Sequence, residues 1–231
     1  MRIIVFGANG PTGRLLTAQA LDAGHHVAAV TRQPDSFPLR HDRLEVIAAD
    51  VLDPGAVDAA VAGSDAVLST LGAPPSKEPI TTYSQGAANI VAAMQRHGVR
   101  RLAVVSSAGV DPQPYSDGGF FFNRVMIPFV TGVAGKSIYD DMRRMEEFLR
   151  ASDVDWTVVR PSGLYHLPAV TDYTIVEGFA DGRFTSRTDL AASLLSLADS
   201  DRFVRATVSV ITTTDNPPLF RWIRQEAMAR S

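Results

Sequence analysis

Gly7-Ala8-Asn9-Gly10-Pro11-Thr12-Gly13 sits directly between the apolar run Ile3-Ile4-Val5-Phe6 and a helical pattern opening Arg14-Leu15-Leu16. Residues of these types at this spacing can hold a diphosphate. Gly7 permits a sharp exit from a strand, Gly10 leaves room for a pyrophosphate, and Gly13 lets the following helix lie close to the sheet. Free N–H groups, including those near Asn9 and Thr12, and the positive end of the helix dipole then face the phosphates. Pro11 suits a first helical turn, where its missing N–H would have had no partner. Glycines alone also fit any tight strand-to-helix turn. A second apolar run, His26-Val27-Ala28-Ala29-Val30-Thr31, arrives at βαβ distance and turns the reading toward dinucleotide binding.

The end of that second run decides which dinucleotide. A carboxylate there would hydrogen-bond the ribose hydroxyls of NAD, but the chain reads Thr31-Arg32-Gln33-Pro34. Arg32 brings a planar cation to the place where NADP carries its extra phosphate, so NADP(H) is expected over NAD(H). After the third run comes Ala49-Asp50-Val51-Leu52, where Asp50 could accept from an adenine amino group and Val51 cover the ring. On spacing alone, Asp53 as a helix cap with Asp50 merely turning the chain fits equally. Leu71 ends the fourth run and Gly72 follows it, where Gly72 would let the cofactor backbone approach closely.

Other residues offer proton chemistry. Ser106-Ser107 ends the fifth run, as a hydroxyl donor beside a reacting centre or as a pair bonding the next turn. Tyr139 and Arg143 stand four apart, so a guanidinium could lower the tyrosine's pKa. It stays protonated and cannot replace the lysine amine of a Tyr-x-x-x-Lys relay. Among five histidines none shows metal-ligand spacing, and no metal is expected. His166, in the loop after the sixth strand, joins Ser107 and Gly109 as a candidate substrate-pocket residue. Arg160 ends a buried strand and needs a carboxylate or carbonyl partner, while Arg187 and Asp189 would anchor a helix beginning near 187.

These residues need a scaffold of alternating strands and helices. Strands are expected at 2–6, 26–31, 44–48, 66–71, 101–106, 155–160 and 205–211, and helices at 11–23, 54–62, 82–98, 137–152, 187–198 and 217–229. The pattern is that of an α/β, Rossmann-type doubly wound parallel sheet with helices on both faces. At 231 residues one NAD(P)-binding domain over 1–231 is expected. Residues 112–136, with Phe120-Phe121-Phe122 and Val125-Met126-Ile127-Pro128-Phe129-Val130, break the alternation. They read as a surface helix covering the sheet edge, or as a substrate-pocket insertion.

Composition excludes several function classes. There is no cysteine, hence no disulfide, thiolate nucleophile or cysteine-bound metal. With 22 basic and 25 acidic residues the net charge is −3, so neither nucleic acid nor an anionic membrane is an expected partner. Without a long apolar run or a signal-peptide core, a cytoplasmic location is expected. The aromatic tail Leu219-Phe220-Arg221-Trp222 reads as a helix packing on its own domain or meeting a second copy, so monomer or homodimer both stand.

The ordered series as a whole resembles an atypical short-chain dehydrogenase/reductase. It is most similar to the biliverdin reductase B or flavin reductase branch, with NmrA-like proteins as a wider circle. The resemblance rests on Gly7 to Gly13, Asp50-Val51-Leu52, Gly86 to Met94, Ser106-Ser107-Ala108, Trp156 to Pro161, Asp172-Tyr173-Thr174 and Ser186 to Ala191. It implies an NADPH-binding groove with an open pocket for a flat, conjugated acceptor. Ser107 would lie beside the nicotinamide, and Pro161 and Ser162 would border the same end. Histidines of the flavin reductase branch are replaced by Met142 and Gly163, and the Tyr-x-x-x-Lys pattern is incomplete.

The reading that follows is an NADPH-dependent reductase of a small flavin-like or quinone-like acceptor, with Ser107, and Tyr139 as a further candidate, assisting. The alternative is a non-catalytic NADP(H)-binding redox sensor of NmrA-like type. An epimerase of sugars or natural products is a third reading, weakened by the missing lysine.

Overall fold

A computed structural model of the chain describes residues 1–74, 76, 78–214 and 216–217. Ten strands are present among them: β1 (Arg2–Phe6), β2 (His26–Thr31), β3 (Leu44–Ala48), β4 (Ala66–Ser69), β5 (Arg101–Val105), β6 (Asp155–Pro161), β7 (Gly163–Tyr165), β8 (Tyr173–Glu177), β9 (Phe184–Ser186) and β10 (Ala206–Thr212). The main sheet has the order β3-β2-β1-β4-β5-β6-β10-β8, and β7 pairs with β9 in a separate small sheet. Neighbours from β3 to β10 run parallel. The sheet is parallel-dominated as expected, and at one edge β8 lies antiparallel to β10. Its half-buried, mixed sequence carries none of the continuous apolar character of a central parallel strand.

Helices α1 (Pro11–Asp22) and α5 (Arg187–Ala198) cover one face, and α2 (Pro54–Val61), α3 (Thr82–His97) and α4 (Lys136–Arg150) the other. In α1 the buried positions Gly13, Leu16, Thr17, Ala20 and Leu21 follow helical spacing. Ile3 to Phe6 of β1 are fully buried between the two layers, which explains their unbroken apolar run. Expected elements agree with those observed to within a residue or two at each end; the expected sheet lacked β7, β8 and β9. The helix expected at 217–229 lies outside the described residues.

Residues 112–136 begin as a loop and continue as helical turns from Gly119–Phe121 to Val130–Ala134, two stretches of which are widened π turns. Pro128, with no N–H to donate, sits between the widened stretches. Phe120, Phe121, Val125, Phe129, Val130 and Val133 are exposed, so this segment does not bury an apolar face on the sheet edge. Among the described residues no helix is long and apolar enough to cross a membrane.

Candidate functional site

The chain reverses direction across the sheet between β1 and β4, which are hydrogen-bonded neighbours reached from opposite sides of the fold. At their carboxyl ends Thr70 donates its N–H to the carbonyl of Phe6 (2.9 Å), and its hydroxyl reaches the carbonyls of Phe6 and Gly7 (3.1 and 3.2 Å). The Ala8 N–H donates to Val30 of β2 (3.3 Å), so the turn is tied to both flanking strands. Gly7 has φ +75°, and a Cβ there would stand 2.6 Å from the Thr70 carbonyl oxygen. Gly13 is more confined, since a Cβ would lie 2.3 Å from the Gly7 carbonyl oxygen.

Helix α1 starts without a side-chain cap, whereas Asp53 caps α2 and Ser186 caps α5. Its bare N-terminus, with its unmatched N–H groups and positive dipole end, has the character that suits an anion. It opens into a cleft of about 690 Å³ that crosses the ends of β3, β2, β1, β4, β5 and β6. Gly7, Asn9, Gly10, Pro11, Thr12, Arg32, Asp50, Val51, Leu71, Gly72, Ser106, Ser107, Tyr139, Pro161 and Ser162 all line this cleft. Gly13 stands behind the turn as a packing residue. Gly109 and His166 lie off the cleft walls, and no residue of 112–136 forms part of them.

The helix cap expected beside Asp50 is present, and Asp50 itself faces the cleft. Asp53 caps α2 through the N–H groups of Gly55 and Ala56 (2.9 and 3.2 Å), and Asp50 accepts from the Leu52 N–H (3.0 Å) while still facing the cleft. Arg32 is exposed and forms no hydrogen bond or ion pair among the described residues, leaving its guanidinium for a ligand. Asn9 is held by Arg14 (3.0 Å) and donates to Ser36 (3.1 Å). Helix α3 supports the middle of the cleft. Asn89 donates to the Val51 carbonyl (2.9 Å), and a Cβ at Gly86 would lie 3.0 Å from Val51 and 3.1 Å from Leu71.

Ser107 accepts from the Gly109 N–H (3.1 Å), capping a short turn and leaving its own proton free to be donated. Gly109 acts on the cleft indirectly, because a Cβ there would stand 2.5 Å from the Tyr139 ring, and one on Gly135 would stand 2.6 Å from its other edge. The ring is therefore held between two glycines. Arg143 donates to the Val110 carbonyl (3.0 Å) and to Asp140 (2.8 Å), which commits the guanidinium to the loop after β5.

The sequence did not point to Thr70, Tyr83 or Leu164 as cleft residues. Tyr83 accepts from the Ala73 N–H (3.1 Å); burial pushes its phenol up, opposed by that hydrogen bond, so it stays protonated at neutral pH. Met142 also lines the cleft, as does Arg187. The segment 112–136 reaches the rim through Tyr115. Ser162 gives its hydroxyl proton to Gly182 (2.6 Å), so Tyr115 donates to the Ser162 oxygen at 3.3 Å. Burial pushes the Tyr115 phenol up as well.

A doubly wound sheet with an uncapped glycine-rich helix start at its switch point defines a Rossmann-type nucleotide-cofactor protein. The chain belongs to the NAD(P)H-binding family, whose model matches residues 7–201. Over 114 residues it is 40% identical to an uncharacterized protein of Mycobacterium tuberculosis; the match takes in 49% of this chain but only 13% of that protein's length. Oxidoreductase stcQ of Emericella nidulans is 29% identical over 94% of this chain and 85% of its own. Among solved structures, a short-chain dehydrogenase/reductase of Veillonella parvula in complex with NADP superimposes with TM-score 0.75 at 24% identity, over 92% of this chain and 95% of that one. ChuY, an anaerobillin reductase from Escherichia coli O157:H7, superimposes with TM-score 0.70 at 22% identity, over 94% and 100%.

Proposed function

We propose that the protein is an NADPH-dependent reductase that delivers hydride to a small conjugated acceptor, flavin-like or quinone-like. The observation that carries this reading is a cleft with a cationic side chain and an uncapped helix start toward one end and hydroxyls toward the other. The residues present fit a dinucleotide. A Cβ on Gly10 would crowd only the Gly7 carbonyl (3.3 Å), and one on Gly72 would meet nothing within 4 Å, so both positions leave open space where a ligand can approach.

In this reading the turn from Gly7 to Thr12 and the α1 N-terminus hold the diphosphate. Arg32 pairs with the ribose phosphate that distinguishes NADP from NAD, Asp50 and Val51 hold the adenine, and Gly72 lines the middle. Ser107, Tyr139, Pro161 and Ser162 border the reacting end. When bound, NADPH supplies the hydride. The chain then has to align the acceptor, exclude competing water and provide a proton. The Ser107 hydroxyl, or water beside it, provides that proton. Support for reductase chemistry comes from the named activities of ChuY and stcQ, and for NADP from the Veillonella complex.

The test is direct. Purified protein mixed with NADPH and a panel of flavins, quinones and dichlorophenolindophenol is expected to oxidise the cofactor faster than the protein-free mixture. Tight NADP binding without turnover across the panel would favour the redox-sensor reading instead. Arg32→Ala is expected to weaken NADPH about tenfold to hundredfold while changing NADH little, as the loss of a charge-assisted hydrogen bond requires. Equal weakening of both would remove the NADP assignment.

A further inference from the structure

A buried carboxylate outside the cleft joins three of its walls. Glu146 of α4 is 1% exposed. Its Oε1 accepts from the Ser106 hydroxyl (2.7 Å) and from Arg160 Nε (2.9 Å). Its Oε2 accepts from Arg160 Nη2 (2.6 Å) and Arg150 Nη2 (2.8 Å). The Arg160 guanidinium is thus gripped side-on in a two-point pair, the geometry that fixes both distance and orientation. Ser106 directly precedes Ser107 at the end of β5, and Arg160 directly precedes Pro161 and Ser162 at the end of β6. On α4, Tyr139 and Met142 stand seven and four residues before Glu146, on the same helix face, and both line the cleft.

The strands do not need this group in order to pair. Residues Arg101 to Val105 are already in register with Asp155 to Val159, and the Ser106 N–H continues the ladder to the Val159 carbonyl (2.8 Å). A buried ion pair seldom adds stability over well-packed apolar side chains, so its placement points to geometry rather than cohesion. The pair also reaches the far end of the loop that carries Ser107 and Gly109, since Arg160 Nη1 lies 3.8 Å from Asp111.

We propose that Glu146 is a positioning residue for hydride transfer: through Ser106 and Arg160 it sets the placement of Ser107, Ser162 and Tyr139 around the reacting end. The proposal rests on the reductase reading for its rate effect but not for its placement effect. It predicts that Glu146→Gln binds NADPH within about twofold of the wild type, because the adenosine end and the diphosphate turn are remote from it. Single-turnover NADPH oxidation is expected to slow about tenfold or more, as small misplacement of reacting groups does.

Glu146→Met/Arg160→Met supplies the second variant, replacing the pair by apolar side chains of similar length. It is expected to melt near the wild type and to be as slow as Glu146→Gln. Either variant folded with the wild-type rate would overturn the proposal, and so would failure of both to fold, which would make the pair purely structural. If the wild type itself turns over no acceptor, the reductase reading fails separately. The emission maximum and anisotropy of bound NADPH then report placement. They are expected to differ between wild type and Glu146→Gln, and identical signals would overturn the role of Glu146.

Discussion

Gly13→Ala is expected to remove tight dinucleotide binding and to lower the melting temperature by roughly 2–12 °C. The added methyl would meet the Gly7 carbonyl oxygen at 2.3 Å, the Ala8 Cα at 2.7 Å and the Ala8 carbonyl oxygen at 2.8 Å. All three are main-chain atoms, so no side chain can swing aside, and either α1 or the turn must move. The turn cannot yield cheaply, being tied to Thr70 on one side and Val30 on the other. Displacing α1 instead withdraws its uncapped N–H groups from the cleft. Calorimetric titration with NADP and a thermal melt read the two effects separately, and a variant of unchanged affinity would show that α1 is not the phosphate-binding element.

The second large effect is expected at Asp141, which is fully buried on α4 yet caps a different helix. Its carboxylate accepts from the Tyr83 N–H (2.8 Å), from the Ser84 N–H (3.4 Å) and from the Ser84 hydroxyl by a short bond at the start of α3. Arg144 adds a further contact at 3.1 Å. Thr81 precedes α3 without making a side-chain cap, so this borrowed carboxylate does that work. Asp141→Ala leaves the two N–H groups and a hydroxyl without their acceptor and is expected to destabilise the protein by about 2–4 kcal/mol. Asp141→Asn keeps one acceptor oxygen and should lose less. Urea unfolding measures both. A loss below about 1 kcal/mol for the alanine variant would mean that water replaces the carboxylate. Because Tyr83 supports Ala73 and both line the cleft, the same variant should also bind NADPH more weakly.

The β1–α1 turn was legible because its signal is local: an apolar run, three glycines at fixed offsets and a helical pattern lie within about twenty residues of one another. Arg32, Asp50, Leu71, Gly72, Ser106 and Pro161 could be placed because each lies at or just beyond the end of a strand, and parallel strands deliver their carboxyl ends to one side of the sheet. The strands β7, β8 and β9 escaped notice for the opposite reason. They are three to five residues long, and β8 pairs with a strand more than thirty residues further on. Asp141 and Glu146 were equally hidden. On a helix rich in charged residues they look like members of a solvated face, and only partners at positions 83, 84, 106 and 160 show that they point inward. The segment 112–136 was legible as a departure from the repeating pattern. That it meets the cleft-lining residues through Tyr115 and Gly135, with Phe120, Phe121 and Phe129 exposed, depends on tertiary contacts no periodicity records.

The excursion from β6 to α5 gives the molecule a division of labour. The β7–β9 ribbon hangs between them, fastened to the main sheet through the Thr185 hydroxyl and the Val210 carbonyl, and Leu164 of β7 is the part of it that reaches the cleft. The glycine-rich turn draws its support instead from Val30 of β2 and from Thr70 just beyond β4, the two strands that flank β1. Substitutions in the loops 166–172 and 178–183 therefore touch none of the hydrogen bonds that hold the β1–α1 turn. A lineage built on this frame can vary the ribbon while inheriting the turn unchanged.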